Sequence, residues 1–186
     1  MTNKTADYSD NELIGLFRIQ ESRDAAFNLI VGKYKEKLYW HIRKLLINHD
    51  DTDDTLQNTF IKAWNGLEKF REDSGIYTWL YRIATNEALS FLSSKKRRFL
   101  LPLVDVEKQL ANMLDTDEYF NGDELQLKLQ KALLTLPEKQ RLVFNMKYFD
   151  EMKYEDMAEI LQTSVGALKA SFHHAVKKIE KYVTEH

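Results

Sequence analysis

Apolar residues recur along this chain at steps of three and four rather than two, the spacing that gathers them on one side of an α-helix. The longest stripe, Phe27, Ile30, Val31, Tyr34, Leu38, Ile42, Leu45 and Leu46, predicts an extended helix starting near Ser22. Ahead of it, Ser9 with Glu12 three residues on forms a capping box for a short helix carrying Leu13, Leu16 and Phe17. The acid-rich turn from Asn48 to Asp54 favours the positive end of a third helix, whose buried face reads as Leu56, Phe60, Trp64 and Leu67. Gly75 and its polar neighbours break the pattern, so 68–76 reads as a loop. A fourth helix from about Thr78 carries Trp79, Ile83, Leu89 and Leu92 and runs into Lys95-Lys96-Arg97-Arg98.

From Phe99 to Gly122 the periodicity weakens, although Val106, Leu110 and Met113 fit a short helix. Leu125, Leu129, Ala132, Leu133 and Leu136 then mark another helical face. Pro137 suits the first position of the next helix, where a missing N–H is harmless. That helix carries Leu142, Val143 and Met146 and stops at Phe149-Asp150-Glu151. With only 6 glycines and 2 prolines in 186 residues, nothing competes with helix, and the chain reads as all-α. Two small helical domains are expected, 1–98 and 123–186, joined by a linker at 99–122.

Charge sharpens that division. Residues 1–98 hold 16 basic and 14 acidic side chains, 99–125 hold 1 and 7, and 126–186 hold 10 and 8. An acidic strip therefore separates two slightly basic blocks, although the net charge is −2. A phosphate backbone senses the local charge within a Debye length of about 10 Å, not the sum. The absence of cysteine excludes disulfides and thiolate sites, and the five histidines show no metal-ligand spacing. No apolar run approaches the roughly 20 residues that span a bilayer, and the first residues are polar, so a cytoplasmic protein without membrane insertion is expected. No glycine-rich phosphate loop and no nucleophile with a placed base occurs, which argues against an enzyme, a cofactor or a small-molecule substrate.

The stretch from Lys153 to Lys181 has helix-turn-helix spacing. Tyr154 to Leu161 forms the first helix, Gln162-Thr163 the turn, and Ser164 caps a second helix that buries Val165, Leu168, Phe172 and Ile179. Ser164, Gly166, Ala167, Lys169, Ala170, Ser171, His173, His174 and Lys177 are left on or beside its open face. Short side chains at the front of such a helix permit close approach to the major groove. A helical hairpin with solvated charges has the same pattern.

Two further segments are specific. Asp53-Asp54-Thr55-Leu56-Gln57-Asn58-Thr59-Phe60-Ile61-Lys62-Ala63-Trp64, followed by Phe70 through Asn86, closely resembles the second conserved region of the sigma-70 family. Leu134-Thr135-Leu136-Pro137-Glu138-Lys139-Gln140-Arg141 through Lys169 resembles its fourth region. The chain is too short for the family's first and third regions and so resembles the extracytoplasmic-function group. The resemblance implies an alternative sigma factor that lends promoter recognition to RNA polymerase. Asp54, Gln57 and Asn58 would dock on the clamp of the largest polymerase subunit, and the second domain would lie toward the flap.

Phe70, Arg71, Ser74, Tyr77, Tyr81, Arg82, Asn86, Lys95, Lys96, Arg97 and Arg98 would handle the minus-ten element, the aromatics by stacking on extruded bases and the cations by phosphate contact. Trp79 shares a face with Ile83 and reads as core, and a core position is equally open to Phe70. The second helix of the helix-turn-helix would read the minus-thirty-five element. Promoter DNA and core polymerase are the implied partners, and an anti-sigma protein wedged between the domains the implied regulator. This chain departs from its relatives in two places. Leu80 stands where housekeeping members have a second tryptophan, and Ser171, His174 and Val176 stand where many relatives have arginine. A polymerase-independent repressor using the helix-turn-helix alone is the competing reading, distinguished by dimeric binding to duplex DNA without polymerase.

Overall fold

A computed structural model describes residues 8–98, 110–115 and 124–185, and the regular structure within them is helical. The side chains of Lys96 and Arg98, and the linker residues around Val106, lie outside the described set. The first helix, α1, spans Asp10–Phe17, and its capping box is formed: the Ser9 hydroxyl accepts from the Glu12 N–H at 3.3 Å while the Glu12 carboxylate accepts from the Ser9 N–H at 2.7 Å. After a short 3-10 turn, α2 runs Arg23–Leu46 and buries Ala26, Ile30, Tyr34, Leu38, Ile42, Leu45 and Leu46.

Helix α3 spans His49–Leu67, with the Asn48 side chain accepting from the Asp51 N–H at 2.8 Å as N-cap. The corner between α2 and α3 is Ile47, at φ 64°, a left-handed conformation that β-branched residues rarely adopt. Its side chain is buried against Leu110, Leu114 and Leu134. The buried face of α3 differs from the sequence expectation. Thr52, Thr55, Thr59, Ala63 and Leu67 are buried, whereas Leu56, Phe60 and Trp64 are only partly covered. Each threonine hydroxyl donates to the carbonyl four residues back, at 2.6–2.8 Å, so the side chain presents little more than a methyl to α2 and α4, with which α3 packs.

Helix α4 spans Ile76–Arg98, starting two residues before the expected Thr78. Its buried stripe, Ile76, Leu80, Tyr81, Ala84, Ala88 and Leu92, is likewise displaced from the expected Trp79, Ile83 and Leu89, which are partly buried. In both helices small residues at the closest approach hold the core, and larger apolar residues flank it.

In the C-terminal unit, α5 is Glu124–Leu134, α6 Glu138–Tyr148, α7 Tyr154–Leu161 and α8 Val165–Glu185. Pro137 occupies the N-cap of α6, one residue before the expected first position, a difference within the ordinary ambiguity of helix ends. Ala132, Leu133, Leu136, Phe144, Ala175 and Ile179 form this unit's own core. The two units also share a core: Leu142, Val143, Met146, Met152, Met157, Ile160 and Leu168 are continuous with the buried residues of α1 to α4. The described part of the linker is helical at 110–115, with Leu110 and Leu114 buried, and Asp115 pairs with Lys131 at 2.6 Å. That part is packed.

The tight α3 crossing has a measurable consequence. Ala63 is fully buried, so Ala63→Leu is expected to lower unfolding free energy by about 1–3 kcal/mol through overpacking. Chemical denaturation reads this directly, and an unchanged midpoint would mean the crossing has slack.

Candidate polymerase and nucleic-acid interfaces

Asp54, Gln57 and Asn58 fall at steps of three and one on α3 and are all exposed, on the side away from the buried threonines. Gln57 also borders a groove of about 390 Å3 lined by Phe27, Phe60, Ile61, Trp64 and Asn65. Ile61 is 53% exposed. Phe27 meets Phe60 and Trp64 edge-on, with centroids 6.3 and 5.0 Å apart, and Phe17 meets Trp64 at 5.2 Å. An apolar groove therefore lies beside the polar trio. The sequence reading assigned Ile61 no role, although an isoleucine on the polar side of a helix was a visible signal.

The expected minus-ten residues fall on two sides of α4. Phe70, Arg71, Ser74 and Arg82 line one depression of about 330 Å3, with Lys69, Asp73 and Trp79 beside them and Glu159 of α7 also in its wall. Gly66 lets Trp79 approach: a Cβ there would lie 3.1 Å from the indole ring. Phe70 takes the core alternative. Its ring is buried against Trp79, centroids 5.0 Å apart, and its carbonyl accepts from the Arg18 guanidinium at 3.0 Å. In this conformation the ring supports the loop and is not open to a base. Arg71 is exposed and lies 3.4 Å from Asp73, and Asn86 and Arg97 are exposed. Lys95 is half-buried and pairs with Asp51 at 3.0 Å, so its charge ties α4 to α3. The side chains of Lys96 and Arg98 lie outside the described residues.

Tyr77 and Tyr81 face the other way, toward α2. Tyr77 stacks on Tyr34 at 5.7 Å, with the Lys37 ammonium 5.6 Å from its ring centre. Burial, followed by the Asp150 charge, pushes its hydroxyl up to about 12. Tyr81, expected on the DNA surface, is wholly buried. Its ring lies 3.9 Å from the His41 ring, and its hydroxyl donates to Asp150, in the turn between α6 and α7. The C-terminal unit thus covers the tyrosine that the sequence placed in the open.

Asp150 is the centre of this contact. One carboxylate oxygen accepts from Lys44 of α2 and the other from Tyr81 of α4, with His41 Nδ1 3.8 Å away. Burial alone raises the Asp150 carboxyl, but His41 and Lys44 outweigh it and hold the group below its ordinary value. Burial likewise pushes the His41 imidazole down, Asp150 opposing and Lys44 reinforcing the shift. His41 Nε2 lies 2.9 Å from the Thr85 hydroxyl, which itself donates to the Tyr81 carbonyl at 2.8 Å. Thr85 has already committed its hydrogen, so neutral His41 carries its proton on Nε2. The sequence showed no sign of this cluster, because 106 residues separate Lys44 from Asp150.

Helices α7 and α8 meet at Gln162, whose left-handed φ of 48° makes the turn. The Ser164 hydroxyl accepts from the Ala167 N–H at 3.2 Å, as an N-cap does. Gly166, Ala167, Lys169, Ala170, His173, His174 and Lys177 are exposed, with Ser171 intermediate. The Lys169 ammonium rests 5.6 Å from the Tyr154 ring centre.

Comparison with known proteins gives matches over both units. The family model of sigma-70 region 2 matches residues 30–98, and that of sigma-70 region 4 matches 126–179. The RNA polymerase sigma-H factor of Pseudomonas aeruginosa is 32% identical, over 88% of this chain and 89% of its own length. The ECF RNA polymerase sigma-E factor of Haemophilus influenzae is 30% identical, over 89% and 92%. Among solved structures, CnrH, bound to the cytosolic domain of CnrY, aligns with a TM-score of 0.70 at 22% identity over 95% of this chain and 97% of that one. The sigma factor RpoE of Bartonella quintana, bound to the anti-sigma factor NepR, aligns with a TM-score of 0.66 at 22% identity over 85% and 96%.

The depressed His41 sets the direction of a pH response. The unfolded chain takes up a proton near pH 6.5, while the folded protein keeps His41 neutral to lower pH. Stability from this residue is therefore complete above about pH 6.5 and is lost as pH falls toward the folded value. Between pH 7.5 and 5.5 a net loss of stability from this residue is expected. His41→Gln, whose amide can still donate to Thr85, should show a smaller difference in thermal midpoint between those pH values. An equal difference would assign the response elsewhere.

Proposed function

This chain belongs to the extracytoplasmic-function group of the sigma-70 family and is an alternative sigma factor directing promoter-specific transcription initiation, and we propose that its two units divide that work as follows. Residues 1–98 dock on core polymerase and handle the minus-ten element, and residues 123–186 read the minus-thirty-five element. The protein is not an enzyme, and phosphodiester chemistry belongs to the polymerase.

The observation that carries this division is the coexistence of two unlike exposed surfaces. On α3, the polar trio Asp54, Gln57 and Asn58 borders an apolar groove, a mixture suited to a protein partner. On α8, a capped N-terminus presents glycine, alanines, a lysine and histidines, a surface narrow enough for a groove of DNA. The depression around Arg71, Ser74 and Arg82 would receive an extruded base, Trp79 forming part of its wall. At the front of α8 the lysine charge comes from Lys169 and Lys177, with no arginine on the helix, so a shallow salt dependence is expected of this unit.

The solved complexes of the structural neighbours hold an anti-sigma factor in one case and a cytosolic partner domain in the other. We assign a comparable regulator to this chain. The cleft between the units, about 470 Å3 and bordered by Lys37, Trp40, Tyr77, Gln126, Gln130 and Phe149, offers it a place to enter. No described helix is long and apolar enough to cross a membrane, and the factor works in the cytoplasm with polymerase and chromosome.

Transcription in vitro from a promoter library with purified core polymerase tests the whole reading. Absence of any transcript dependent on this chain would sink it. Asp54→Ala with Gln57→Ala is expected to weaken core polymerase association by tenfold or more, about 1.4 kcal/mol, with helix content unchanged in circular dichroism. Lys169→Glu is expected to reduce recognition of duplex promoter DNA by the holoenzyme roughly tenfold while core binding stays intact. If core binding is lost instead, the roles of the two units are misassigned.

A further inference from the structure

The contact around Asp150 is built unevenly. Both hydrogen-bond donors belong to the N-terminal unit, Lys44 on α2 and Tyr81 on α4, and the acceptor alone comes from the C-terminal unit. His41 braces the Tyr81 ring from beneath and is itself fixed by Thr85. If the C-terminal unit is taken away, an ammonium and a phenol remain, converging on a vacated anion position. A phosphate oxygen accepts from those two donors as a carboxylate oxygen does. The surroundings favour nucleic acid over an acidic peptide. Trp40 and Tyr77 border the same cleft, and Lys37 lies over Tyr77. Rings alternating with cations supply both the stacking and the charge that single-stranded nucleic acid requires.

We propose that Lys44 and Tyr81 form a phosphodiester receptor on the N-terminal unit, which Asp150 fills in the free chain, so that the C-terminal unit lies closed over part of the promoter-melting face until the backbone of a single strand displaces it. The proposal rests on the sigma-factor reading and adds a site and an occupant to it. A second carboxylate agrees with this role: Glu159 shares the depression that holds Arg71 and Arg82. The open face of α8 remains exposed throughout, so closure masks one DNA surface and spares the other.

The chain contains no cysteine, so Glu36→Cys and Glu180→Cys, at exposed positions of α2 and α8, provide two unique spin-label sites in the full-length protein. Asp150→Asn is expected to lengthen and broaden the label-to-label distance distribution. It is also expected to raise affinity for a fluorescent mixed-sequence single-stranded oligonucleotide roughly tenfold. Adding Lys44→Gln to Asp150→Asn should leave the distances as they are and return the affinity by about the same factor. Should Asp150→Asn lower the helix content, Tyr81→Phe, which removes only the donor hydroxyl, is expected to open the chain without any gain in affinity.

Distances unmoved by Asp150→Asn, or equal binding by the single and double variants, overturn the proposal. So does opening of the parent chain by a polyglutamate peptide or by inorganic phosphate, but not by the oligonucleotide. Transcription by the reconstituted holoenzyme is measured separately, so refuting the receptor leaves the sigma-factor reading to stand or fall on its own result.

Discussion

Four of the described helices are attached to one buried stripe on α2. Ile30, Tyr34, Leu38, Ile42, Leu45 and Leu46 form its spine, and α1, α3, α4 and α6 all pack against that helix. Burial of apolar surface is non-directional, so the stripe alone does not decide where each neighbour sits. Direction comes from the polar residues set among it. The Tyr34 hydroxyl donates to Asp10 at the start of α1, His41 reaches Thr85 of α4, and Lys44 reaches Asp150. A continuous hydrophobic spine with polar attachments on several sides explains how a short chain positions three separate surfaces.

Two groups of polar residues inside this core find their partners in different ways. Threonines of α3 close on their own helix and need nothing from outside, so they pack closely and carry no specificity between helices. The His41, Lys44, Tyr81 and Asp150 set depends on partners from different elements, and any separation of those elements breaks it. Unmaking such contacts is expensive where they are desolvated, and that expense makes the join between the units selective as well as cohesive.

Helix order and type were legible in the sequence, because steps of three and four over many turns admit little else. The long α2 stripe, the capping box at Ser9, the break at Phe149 to Glu151 and the helix-turn-helix spacing all follow from local chemistry. The faces of α3 and α4 were read one position aside. Hydropathy favours Phe60, Trp64 and Trp79, whereas close packing selected Thr59, Ala63 and Ala84. The exposed candidates on α3 and α8 were legible for the same reason as the helices, being polar positions on amphipathic stripes. Tyr81 was misplaced and Asp150 went unnoticed because their environment is made by contact between units, and nothing local to either residue encodes it.

The corner at Ile47 has a mechanical side. A β-branched residue held at positive φ stores on the order of 1–3 kcal/mol, and burial of its side chain against Leu110, Leu114 and Leu134 keeps it there. The joint resembles a spring compressed under a clasp, with the clasp supplied by the 110–115 segment and the last turn of α5. Lifting that clasp would free the joint to unwind, and because α3 starts two residues later, the heading of its outer face would swing with it.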